Sequence, residues 1–82
     1  MRARVTLTRQ AREAFEAAPE DLQRRLLRAF EALENDATPT ASVYMPGAVF
    51  ESKTLEGIDL VWYVADLSRD PRPVHVHWFS EA

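Results

Sequence analysis

The 82-residue chain has no cysteine and only two glycines. Without cysteine there are no disulfides, no thiolate nucleophile and none of the usual structural zinc sites. With glycine confined to Gly47 and Gly57, no phosphate-cradling loop can be written. No segment approaches the ~20 consecutive apolar residues needed to cross a bilayer. The opening MRARVTLTRQ carries arginines but no apolar run of signal-peptide length after them. These absences lead to the expectation of a cytoplasmic protein with no membrane segment and no small-molecule cofactor.

Positive charge is also scarce over most of the chain. Residues 1–28 hold seven Arg against four acidic residues, whereas residues 29–82 hold three basic residues against nine acidic ones. The net charge of -3 therefore divides into +3 and -6. Phosphate contacts supply most nucleic-acid affinity, so only the first third could carry a basic patch, and Arg24, Arg25 and Arg28 are expected simply to solvate the outer face of a helix. What the chain does have is a 46% apolar content with two tryptophans, enough for one small core. A chain this short holds a single domain, residues 1–82, burying only about 60% of its unfolded surface.

Ala3, Val5 and Leu7 alternate with Arg2, Arg4 and Thr6, the period of a strand with one face on a core. Thr8 can cap a helix carrying Ala11, Phe15 and Ala18 on one stripe. Pro19, followed by Glu20 and Asp21, suits the start of a second helix. There Leu22, Leu26, Phe30 and Leu33 line one face, with Leu27 widening it. Residues 36–48, with Pro39, Pro46 and Gly47, read as the one long loop, in which Val43–Met45 could cover a core edge. Three strands then follow from Val49 to Phe79. VFESKTL turns at Glu56-Gly57 into IDLVWYVADL, with Ile58, Leu60, Trp62 and Val64 on one face and Val61, Tyr63, Ala65 and Leu67 on the other. In VHVHWF, alternation sets Val74, Val76 and Trp78 against His75, His77 and Phe79. The expected fold is α+β: a two-layer sandwich, a helical hairpin packed on a mostly antiparallel sheet, in the order β-α-α-β-β-β, with the second sheet face left for function.

The segments RVTLTRQAREAFEAAP, LQRRLLRAFEALENDATP, ESKTLEGIDLVWYVADL and PVHVHWF together resemble the RelE/ParE superfamily, the toxin halves of type II toxin-antitoxin pairs. The resemblance covers nearly the whole chain and rests on hydrophobic pattern and turn placement. It implies a cognate antitoxin polypeptide as partner, and either a protein target such as DNA gyrase or mRNA on the ribosome. The chain departs from the family where an Arg is usual after the glycine turn, a position filled by Leu60, and in lacking a closing Arg or Tyr in FSEA. Those departures favour a ParE-like mode of protein binding over mRNA cleavage.

An atypical, metal-independent endoribonuclease is the rival reading, and a non-toxic interaction module with the same fold is a third. RNA cleavage needs a base, an acid and a cation close together. The candidates are Lys53 for phosphate charge, Glu51 or His77 as base and the other histidine, His75 among them, as acid; the plain alternative is an exposed Glu51–Lys53 pair and two half-buried histidines. His75-x-His77 also has the spacing of two metal ligands, with Asp59 or Glu51 as a third, but H-x-H arises often by chance and no metal is expected. Trp62, Tyr63, Trp78 and Phe79 read as core first and as a base-stacking platform second.

Overall fold

A computed structural model describes residues 3–36, 51–64 and 71–82. The elements run β1 (Ala3–Leu7), α1 (Arg9–Ala17), α2 (Glu20–Asp36), β2 (Glu51–Leu55), β3 (Ile58–Tyr63) and β4 (Arg72–Glu81), the expected order. Val43–Met45, Val49, Phe50 and the turn from Ser68 to Asp70 lie outside the described residues.

Local chemistry sets the helix ends. Thr8 Oγ1 accepts from the Ala11 N–H at 3.3 Å, answering one of the donors that the first turn of α1 cannot satisfy internally. Ala18 closes that helix, and the Pro19 carbonyl accepts the Gln23 N–H at 2.9 Å, so the proline opens α2 with Glu20 and Asp21 at its positive end. The amide of Gln23 donates back to the Phe15 carbonyl at 2.8 Å, and the Phe15 and Phe30 rings lie 6.2 Å apart, which locks the two helices into one layer.

The sheet has the order β1-β4-β3-β2. The β2–β3 and β3–β4 pairs are antiparallel, while β1 runs parallel to β4, which comes to lie beside it after both helices and the β2–β3 hairpin. Glu56 and Gly57 both take positive φ, 54° and 72°, the backbone of a two-residue hairpin whose twist matches its strands. Arg25 clasps this turn from α2. Its Nη1 donates to Glu81 at 2.8 Å, and a Cβ on Gly57 would come within 2.9 Å of its Nη2.

One face of the sheet packs on the helices. Ala11, Leu26, Ala29, Phe30 and Leu33 meet Ile58, Leu60, Trp62, Val64, Val74, Val76 and Phe79, all buried. At about 25 cal/mol per Å² of apolar surface, this single interface is the main term holding so small a domain together.

Three expectations fail here. Arg25 does not simply solvate the outer face of α2, since it reaches Glu81 and the β2–β3 turn. Leu27 is 57% exposed and does not widen the core stripe, because it lies about 100° round the helix from Leu26, at the rim of the packed face. Trp78 and Phe79 are exchanged relative to simple alternation, Trp78 being 42% exposed and Phe79 only 8%. The cause is a bulge. Val61 pairs with Trp78 but Trp62 pairs with Val76, so His77 is an extra residue on β4 and every side chain after it changes face.

Candidate functional site: the uncovered sheet face

The face turned away from the helices carries a different chemistry. Thr6, His75 and Tyr63 lie side by side on β1, β4 and β3. The Thr6 hydroxyl lies 2.9 Å from His75 Nδ1, and the imidazole stacks on the Tyr63 ring with centroids 5.0 Å apart and planes 26° apart. The histidine ring is thereby held by a hydrogen bond at one edge and an aromatic plane on one side. Farther along, Val61 and Trp78 form the next cross-strand pair, and Thr54 donates to Asp59 beyond them. Among the described residues this surface is an apolar and aromatic strip, Val61, Tyr63 and Trp78, bordered by hydroxyls, with Arg4 at the end of β1.

The four proposed catalytic residues are not brought together. Directly paired residues of neighbouring strands share a face. Glu51 pairs with Trp62 and Lys53 with Leu60, which puts both on the helix-covered side of β2, the last strand of the described sheet. His75 pairs with Tyr63 and Thr6 on the uncovered side. The sheet itself thus separates the cation and the carboxylate from the His75 imidazole. His77 sits in the bulge, with its carbonyl 3.5 Å from Thr8 Oγ1, so the two histidines do not follow the plain two-residue repeat that the sequence offers. Glu51 and Lys53 share one face, as their spacing in the sequence implies. Among the described residues no three His, Asp or Glu side chains are grouped so as to hold a metal ion.

Of the four aromatics considered for stacking, Trp62 and Phe79 belong to the core, and Tyr63 and Trp78 to the outer strip. Thr6 was not legible as a site residue. Its contact with His75 depends on β1 lying parallel beside β4, and the only sequence signal was its place among the outward residues of β1.

A second feature lies at the free edge of β1. A groove of ≈ 540 Å³ is lined by Val5, Leu7, Phe15, Leu27, Phe30, Glu31, Glu34 and Asn35. Within it Glu34 Oε2 accepts the Val5 N–H at 2.8 Å, satisfying one of the main-chain donors that the edge strand turns outward.

No protein-family model and no curated protein matches the chain. No helix of the described residues is long and apolar enough to cross a membrane.

Proposed function

We propose that the chain is a RelE/ParE-like toxin component of a type II toxin-antitoxin pair that acts by binding other polypeptides, an antitoxin and a gyrase-like protein target, and not by cleaving RNA. The observation that carries this reading is the sheet face that no described element covers, where Trp78 and Tyr63 stand on a four-stranded support opposite the helical layer. Amphipathic aromatics on a pre-formed surface are the usual anchors of protein interfaces, since they bury much area at little entropic cost. The order β-α-α-β-β-β supports the resemblance at the level of fold. The register counts against the endoribonuclease, because Lys53 and Glu51 lie across the sheet from His75 and no common phosphate can meet all three.

Induction of the chain alone in a bacterium tests the proposal. Growth arrest with intact mRNA is expected, with Trp78→Asp abolishing arrest while the circular dichroism spectrum is kept. Unimpaired growth would exclude a toxin and leave only an interaction module. Arrest with cleaved mRNA, lost in Lys53→Ala and His77→Ala, would establish the endoribonuclease instead.

A further inference from the structure

The outward face of α2 sets the exposed Leu27 between Arg24 and Glu31, with Arg28 beside it and Glu20 one turn before Arg24. Leu27, 57% exposed, opens onto the groove whose floor is made by Val5, Leu7 and Phe15. One turn earlier on the same stripe is Arg24, and one turn later is Glu31, both exposed. Arg24 is held outward by its ion pair with Glu20 at 2.7 Å, with side-chain exposures of 71% and 77%. A lone exposed leucine would need no explanation. This one is continuous with the groove, whose lining mixes Val5, Leu7, Phe15 and Phe30 with Glu31, Glu34 and Asn35, and Arg24 and Glu31 stand one turn to either side of it.

We infer that this face is self-complementary and that the chain forms a two-fold dimer through antiparallel α2 helices. If the axis passes between Leu27 and Arg28, residue 24 of one copy falls opposite residue 31 of the other. Each Arg24 then meets a Glu31, twice over, as an isologous interface requires. The two Leu27 side chains lie at the centre and extend over the paired grooves. A parallel arrangement would instead set Arg24 on Arg24 and Glu31 on Glu31. One helix face and a groove bury less than the ~800 Å² per partner of a standard interface, so the dimer is a weak one that forms with rising concentration. The surface is separate from the uncovered sheet face, and the inference does not depend on the toxin reading.

Sedimentation equilibrium over a wide concentration range tests it. The average mass should rise from 9.4 kDa towards twice that value. Leu27→Asp, Arg24→Glu and Glu31→Arg should each keep the monomer mass with unchanged helicity, the last two because they create like-charge contacts across the axis. The decisive step is to mix Arg24→Glu with Glu31→Arg. In that pair every cross-axis contact is again between opposite charges, so the mixture should regain the dimer at 1:1, as should the chain carrying both substitutions. A wild-type chain that stays monomeric at every concentration would overturn the inference, and so would a dimer unaffected by the single variants or a mixture that fails to associate.

Discussion

The two faces of β3 are built from alternate residues of one six-residue strand, yet they differ in almost every property that matters. Leu60 and Trp62 are buried against α2, whereas Val61 and Tyr63 are only half-buried beside a histidine, a threonine and an exposed tryptophan. Past Asp59 hydropathy does not separate the two sets, since Leu60 to Tyr63 is apolar on both sides. The difference is imposed from outside, by where the amphipathic helices lie. Apolar residues on the covered side act through volume and close packing, while those on the other side are held in place by the first set and left accessible.

Mutation can break or sharpen this contrast. Phe30→Ala should have the largest effect, lowering unfolding free energy in urea by about 3–5 kcal/mol, because the ring joins both helices to the sheet. A loss below about 1 kcal/mol would mean that the covered face is not the core. Gly57→Ala should cost about 1–2 kcal/mol, since it strains a positive φ and forces Arg25 off the turn, lowering the melting temperature without altering the covered face. Thr8→Ala should cost about 1 kcal/mol through the lost cap of α1. On the opposite side, Trp78→Ala should cost no more than about 1 kcal/mol in the same urea melts, the share of its stacking on Phe79. A large loss there would show that the outer strip is structural.

Much of the covered face was legible in the sequence. The spacing of Leu22, Leu26, Phe30 and Leu33, the cap at Thr8, the helix break at Pro19 and the turn at Glu56-Gly57 are local signals, each decided within a few residues, and the structure follows them. Features decided at long range were hidden. The parallel return of β4 beside β1, which brings His75 to Thr6, depends on strand order. The bulge at His77, which sends Phe79 inward and Trp78 outward, depends on how β4 fits its neighbour. Both bear on the candidate site, which is why Lys53, Glu51, His75 and His77 looked like one cluster in the sequence and fall into separate places in three dimensions. Leu27 misled for a related reason, because periodicity ranks positions around a helix but not the width of what covers it.

The carboxylate of Glu34 on the Val5 amide has a bearing on colloidal behaviour. An outer strand with vacant amides invites copy after copy to add on, the route to fibrils. Here one such amide is already taken by an anion, and any incoming strand would have to strip it away and leave the negative charge beside its own backbone carbonyls. At the other margin of the sheet, Lys53 places a charge on β2 where another intruder would lie. Each border thus carries a single ionic side chain that opposes runaway polymerisation.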